Sequence, residues 1–249
     1  MATEQSAPGI WMRPERAAVG RPAQRSRAQI TAVAVAIADR EGLDAVSMRR
    51  VAAELGTGAA SLYRYVETRE ELLDLMADAV GGEYLLREPT GDWLADLVAV
   101  GEQARVVMRR HVWVAGLVIT RPSLGPNGVA VLEHVLAVLE PHPADNGSKL
   151  EAFAMLNGIT ALFVQHELTS GSAAQQRMTA YLHHAATSGE HPRLAQLLSQ
   201  APAAAGPTDN YDPADRYGDI VTRILTGLLG SAVDSGGLDH ENGELQRGN

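Results

Sequence analysis

Four neighbouring side chains, Ser61, Tyr63, Arg64 and Tyr65, bring a hydroxyl, two phenols and a permanent cation onto one side of a short stretch whose other side carries Leu62 and Val66. Such groups hydrogen-bond phosphate oxygens and the edges of bases. To present them, the stretch must be held against a partner element. Upstream, Met48, Val51, Ala52 and Leu55 recur at i, i+3, i+4 and i+7, one face of a helix. Gly56 follows, where a left-handed C′ residue ends a helix most cheaply. A second helix over about 59–65 then completes helix, tight turn, short helix. That arrangement places a polar face in the major groove of DNA.

Other chemistries find less support. The 249 residues include no cysteine, which removes disulfides, thiolate zinc sites and a cysteine nucleophile. No G-x-S-x-G, phosphate loop or HExxH occurs. His166-Glu167 is a bare acid–base pair, and His183-His184 lacks a zinc-site spacing. His134, His142 and His191 fall near expected helix ends or turns, where solvent is the expected partner. Neither catalysis, metal nor cofactor is expected.

Net charge is −9, at first sight unfavourable for a nucleic-acid partner. The charge is unevenly distributed. Residues 1–69 hold ten arginines against seven acids, a net +3, while residues 70–249 hold 11 basic against 23 acidic side chains, a net −12. Positive charge therefore coincides with the helix-turn-helix, and an acidic body limits non-specific adhesion. No apolar run reaches the ~18 residues of a membrane span, and the N-terminus lacks a signal-peptide pattern. The expectation is a cytoplasmic protein with no membrane partner.

The elements follow from caps and periodicity. Residues 1–25 mix Pro, Arg, Ala and Gly without period and read as a flexible basic arm, either grazing DNA or simply solvated. Ser26-x-x-Gln29 is a capping box opening a helix with Ile30, Val33, Ala34 and Ile37 inside. Ser47 caps the next helix. Thr68-x-x-Glu71 opens a fourth that buries Leu72, Leu73, Leu75 and Met76 and ends near Gly81-Gly82. Further helices are expected at about 92–110, 110–120, 127–139, 148–169, 174–188, 192–200 and 213–233. Residues 201–213 read as a loop and 234–249 as a disordered tail. No segment sustains a period of two, so the fold expected is all-α: a three-helix, helix-turn-helix domain over 26–82 and a larger helical domain over 83–233. The stretch 150–168 is apolar around most of its circumference. Residues 220–233 place Ile220, Ile224, Gly227 and Leu228 on one face with Val221, Leu225 and Leu229 beside it. Both are either ordinary core helices or helices buried between two copies.

Residues 26–80 resemble the DNA-binding domain of tetracycline-repressor (TetR) type transcriptional regulators. The resemblance is carried by AIADREG at 36–42, SMRRVAAEL at 47–55, Gly56, Leu62-Tyr63, Tyr65-Val66 and REELL at 69–73. It extends more weakly to Arg121-Pro122-x-x-Gly125, which is followed by a long apolar helix. The resemblance implies that Arg49 reaches a base edge, that Ala59, Ala60, Ser61, Tyr63, Arg64 and Tyr65 face the groove or the DNA backbone, that Thr57 lies near a phosphate, and that Arg69 is a phosphate clamp. Leu62 and Val66 are core, and Arg50 is a solvent or phosphate residue. Ala59 and Ala60 stand where the tetracycline repressor has a polar reader and a proline, so apolar contact with thymine methyls replaces hydrogen bonding there. The resemblance further implies a homodimer built on a four-helix bundle, a pseudo-palindromic double-stranded operator, and a small-molecule inducer bound among the helices of the second domain.

Candidate ligand residues are large or polar-tipped side chains on apolar stretches: Arg105, Met108, Trp113, Arg121, Pro122, Asn157, Gln165 and His166, with Phe163 as apolar wall. For Asn157 and Gln165 the competing expectation is a bond to backbone or to the dimer mate; for Arg121-Pro122 it is a plain helix-ending turn. The histidine that binds the drug-borne metal in the tetracycline repressor has no counterpart, since residues 116–120 are GLVIT. Three functions remain: a ligand-released repressor, a regulator controlled by a protein partner or acting as an activator, and an enzyme. An open cavity in the second domain favours the first; a filled interior favours the second.

Overall fold

The computed structural model describes residues 9–14, 26–121, 123–200 and 213–230, and every regular element among them is helical. Helix α1 is Arg27–Glu41, and its capping box forms on both sides: Gln29 N donates to Ser26 Oγ and Ser26 N to Gln29 Oε1, each at 3.1 Å. Helix α2 is Met48–Glu54, capped by Ser47. Its end is a Schellman closure: Gly56 takes φ 65°, Gly56 N donates to Ala53 O at 3.1 Å, and Thr57 N donates to Ala52 O at 2.9 Å. A side chain at Gly56 would be strained, which is why this turn is so short.

Helix α3 is only Ala59–Leu62, shorter than the expected 59–65; Tyr63–Tyr65 continue as turns. Helix α4 is Arg69–Gly81 and ends at Gly82 as expected. Its expected reciprocal capping box forms on one side only. Thr68 Oγ1 accepts from Glu71 N at 3.0 Å, but the Glu71 carboxylate is taken by Glu67 N and by Arg13, each at 2.7 Å.

The second group of helices is α5 (Trp93–Arg110), α6 (Val112–Thr120), α7 (Pro126–Val138), α8 (Asn146–Thr169), α9 (Ala173–Thr187), α10 (Pro192–Gln200) and α11 (Pro213–Leu229). Helix α8 is central and packs on α5, α6, α7 and α11, while α9 pairs with α10. Helix α11 stops at Leu229 rather than near 233, with Gly230 at φ 77°. Its buried side carries Tyr217, Val221, Leu225 and Leu229, and Leu228 is 37% exposed. The two faces of α11 read from the sequence therefore divide: one is core, and the other, with Ile220, Ile224, Gly227 and Leu228, is turned outward.

One apolar cluster runs without interruption from Ile30, Ile37 and Val51 through Leu72 and Met76 to Val107, Trp113 and Val164. It crosses the expected boundary between 82 and 83, so the reading head is welded to α5 and α6. A second cluster around Leu97, Val135, Leu139 and Tyr217 fills the far end. The Tyr217 hydroxyl lies 2.6 Å from Thr160 Oγ1, and burial pushes its pKa up to about 12.

Part of the expected arm is built into the structure. Residues Ile10–Met12 form a 3₁₀ turn, and Ile10 is 2% exposed. The Arg27 guanidinium donates to Arg13 O at 2.7 Å and to Ile10 O at 3.3 Å. Arg13 pairs with Glu71 at 2.7 Å and Glu67 at 3.0 Å. The remaining expected arm, the loop over 201–212 and the tail at 234–249 lie outside the described residues.

Candidate functional site

The DNA-facing end is built by α2, the Gly56 turn and α3. Arg49, Ala60, Tyr63 and Arg64 are exposed there, Tyr63 at 49%. Among the described residues neither Arg49 nor Arg64 enters a salt bridge, unlike Arg40 and Arg50, which share Glu41 and Glu54. Ala59 is half-buried.

This geometry corrects Tyr65 and gives Thr57, Ser61 and Arg69 bonds within the fold. Tyr65 is 6% exposed and joins Leu62 and Val66 in the core, because α3 ends at Leu62 and the following turn rotates residue 65 inward. Its carbonyl accepts from Arg27 Nε at 3.1 Å. Thr57 and Ser61 bond to each other at 2.8 Å, and Ser61 Oγ donates to Gly58 O at 2.7 Å, so these hydroxyls brace the turn. Arg69, which is exposed, donates from Nε to Val46 O at 3.2 Å and from Nη2 to Leu43 O at 3.3 Å, tying α4 to the turn before α2.

Behind the reading head lies a cavity of about 540 Å³. Its walls come from α4 (Ala77, Asp78, Val80, Gly81), from Tyr84, from α5 and α6 (Val107, Met108, Val114, Leu117, Val118), from the turn before α7 (Arg121, Ser123, Leu124), from α7 (Gly128, Val131) and from α8 (Phe153, Ala154, Asn157, Gly158). Of the residues singled out in the sequence, Met108, Arg121 and Asn157 line it. Asn157 Nδ2 donates to Phe153 O at 2.9 Å, leaving its carbonyl oxygen toward other partners. The Arg121 guanidinium meets Asp74 of α4 at 3.0 and 3.2 Å, and that hydrogen bond raises its pKa further. Pro122 lies outside the described residues.

The other expected ligand residues are elsewhere. Arg105 is 4% exposed; burial opposes its charge, but Glu167 and Glu102 outweigh that and hold the guanidinium cationic over the Phe163 and Tyr217 rings. Phe163 consequently belongs to the α5–α8–α11 core and not to the cavity wall. Trp113, also buried, points to α1: its Nε1 donates to Asp39 Oδ1 at 2.7 Å. The same oxygen lies 2.8 Å from His111 Nδ1, whose other ring nitrogen is 3.0 Å from Glu83. Gln165 is half-buried near Gly116, and His166 is exposed. His142, expected to be solvated, is 5% exposed and stacks edge-on against Trp93.

Sequence reasoning missed the contribution of α4. Asp78 is 9% exposed, and its carboxylate accepts from Asn127 Nδ2 at 3.1 Å and Gly128 N at 3.0 Å. The N-cap of α7 is Gly125, which has no side chain, so a residue of α4 caps α7 instead. The available signal was the spacing of Asp74 and Asp78, four apart on one face of α4 among Leu72, Leu73, Leu75 and Met76. A Cβ at Gly125 would lie 2.5 Å from both the Asp78 carboxyl and the Trp11 ring, so only glycine fits.

Comparison with known proteins follows the same two-part division. Residues 30–76 match the family described as bacterial regulatory proteins, tetR family, and residues 87–228 match the tetracyclin repressor-like C-terminal domain. The HTH-type transcriptional repressor DrrR1 of Streptomyces coeruleorubidus is 34% identical over 213 residues, covering 80% of this chain and 76% of that one. An HTH-type transcriptional regulator of Saccharopolyspora erythraea is 34% identical over 236 residues, covering 93% and 96%. Apo ActR from Streptomyces coelicolor superposes with a TM-score of 0.70 at 32% identity, over 85% of this chain and 98% of that one. ActR in complex with actinorhodin superposes at 0.68 and 32% identity, over 85% and 100%.

Proposed function

The chain belongs to the TetR family of bacterial transcriptional regulators, and on that premise we propose that it is a repressor released from its operator when a small molecule fills the cavity behind α4. It is a helix-turn-helix protein that binds operator DNA as a dimer. Arg49, Ala60, Tyr63 and Arg64 are the proposed reading set, because they are exposed on α2, on α3 and in the turn after it, whereas Tyr65 is buried. The dimer is proposed to close over the outward apolar side chains of α8 and α11, Met155, Leu162 and Leu228 among them.

The observation that carries the ligand reading is the cavity itself. At about 540 Å³ it falls within the range of small-molecule sites, and α4 forms one of its walls. Mostly apolar walls with Arg121, Asn157, Ser123 and Tyr84 as polar tips suit a multi-ring or long amphipathic compound. The ActR complex with actinorhodin supports an inducer of related chemistry. An open cavity weighs against control by a protein partner alone. His166 is exposed and Glu167 is held by Arg105, an arrangement that does not favour the two as an acid–base pair. Among the described residues no helix is long and apolar enough to cross a membrane, and we place the protein with its DNA in the cytoplasm.

Release requires that ligand favour the DNA-free form, since equal affinity for both forms shifts nothing. A ~100-fold loss of operator affinity needs about 2.7 kcal/mol of difference. The test begins with a duplex selected by the protein from random DNA. A pseudo-palindrome with half-sites about one helical turn or a small multiple apart is expected. Actinorhodin and a panel of multi-ring aromatics are then titrated into the complex while fluorescence anisotropy follows the duplex. Release by at least one compound that also binds the DNA-free protein is expected. Compounds that occupy the cavity while operator affinity stays constant would refute the reading.

A further inference from the structure

We propose that residues 9–14 form a strap carrying the state of the cavity to the recognition helix, with Trp11 as its positioning residue. The proposal rests on the reading that the cavity binds the inducer. Its geometric basis is that one turn is wall to both. Ser123, Leu124 and Gly128 line the cavity, and Gly125, within the same turn, is where the Trp11 ring packs. The fit is close enough that a single methyl on Gly125 would lie 2.5 Å from Trp11 Cζ2. A compound that displaces Leu124 or Gly128 therefore moves the seat of Trp11.

From Trp11 the strap is fixed toward DNA without slack. Ile10 is buried in the cluster that includes Ile30, Val51 and Leu72. Arg13 bonds Glu67 and Glu71, which flank the start of α4. Arg27 grips Arg13 O and Ile10 O and, with Nε, Tyr65 O, the carbonyl just after α3. The route from turn 123–128 through Trp11, Ile10 and Arg13 to residues 65–67 runs alongside α4 and meets its first turn at Glu71. A strap of this kind adds to operator release because it holds residues 65–67 in place only while Trp11 is seated.

The test uses the full-length dimer, the selected duplex, and hydrogen exchange at amides 10–13. Gly125→Ala requires no ligand. It is expected to raise exchange at 10–13 by about tenfold or more and to weaken duplex binding by about tenfold, equivalent to roughly 1.4 kcal/mol. Trp11→Ala should weaken binding similarly, and because Gly125→Ala also presses on the Asp78 carboxyl, the double variant should be weaker than Trp11→Ala by less than the full Gly125→Ala loss. Trp11→Phe keeps a ring in the seat and should stay near wild type, which separates seating from general loss of folding. Additive losses, or unchanged exchange at 10–13 in Gly125→Ala, overturn the strap. Actinorhodin as probe separates this from the cavity reading: binding to the DNA-free protein with release of duplex but no change at 10–13 overturns the strap alone. If the probe does not bind, the cavity reading loses that ligand and the Gly125→Ala arm still decides the strap.

Discussion

Trp113, on the second group of helices, donates its indole N–H to Asp39 of α1 at 2.7 Å, so a side chain with the look of a ligand stack is instead a bolt between the two parts of the molecule. Trp113→Phe keeps the ring and removes the bond to a charged acceptor. Loss of about 1.5–3 kcal/mol of stability is expected from such a bond, read by denaturant unfolding. Inducer affinity should be unchanged. Weakened inducer binding at unaltered stability would return Trp113 to the ligand site.

At the DNA end, Arg49→Ala should cost roughly 1–3 kcal/mol on the selected duplex and relax preference at one base position. Tyr65→Phe should be silent on DNA, since that ring is packed inside. Anisotropy with cognate and scrambled duplexes checks both. Equal losses on the two duplexes for Arg49→Ala would remove it from the reading set.

Helix α11 separates folding from dimerisation. Leu228 is 37% exposed, so Leu228→Asp should give a folded monomer that no longer binds the operator. Leu225 is fully buried, and Leu225→Asp should unfold the protein by placing an unpaired charge in the core, at several kcal/mol. Light scattering with circular dichroism distinguishes the two. A Leu228→Asp protein that remains dimeric would move the interface elsewhere.

Asn157→Phe should fill part of the cavity and give a repressor that binds operator normally and fails to release. Among the described residues its side-chain amide bonds its own helix at Phe153, so the substitution costs the fold little. A variant that responds to inducer like the wild type would show that the ligand sits elsewhere.

The Arg13–Glu71 contact gives a pH dependence. Burial pushes the Glu71 pKa up, but hydrogen bonds from Arg13 and from Glu67 N outweigh it, and the net value lies below 4.5. A carboxylate lowered on folding contributes stability that is present above its unfolded value and lost as pH falls through the folded one. Protection of amides 10–13, compared at equal intrinsic exchange rate, should therefore hold at neutral pH and decline below about pH 4. Glu71→Gln should remove that decline; its persistence in the variant would assign it to another group.

The helix-turn-helix was legible because its signals are local. Ser26 and Ser47 cap, Gly56 turns, and the apolar periods of α1, α2 and α4 each lie within one element. The cavity was legible only in part, because its walls come from five helices and the residues between them. Arg105 and Trp113 had the right chemistry, but a large polar-tipped side chain on an apolar helix satisfies its tip wherever a partner waits. Their partners, Glu167 and Asp39, are 62 and 74 residues away in the chain. Val114, Leu117 and Val118 face the cavity, and nothing in α6, apolar nearly throughout, marks that side over any other. The strap escaped notice because six residues carry no period, and only the tertiary contacts of Ile10, Trp11 and Arg13 give them a place.

The cap that Asp78 provides for α7 has a mechanical consequence. A helix whose first turn is closed by another helix's carboxylate cannot slide past it without exposing two amide donors, at about 1–3 kcal/mol for each group left unmet. Sliding α4 against α7 is thus the expensive coordinate, and turning both together is the cheap one. Any movement that keeps this cap must carry α4 and α7 together about Asp78, and its extent is limited by the packing of α7 on α5 and α8.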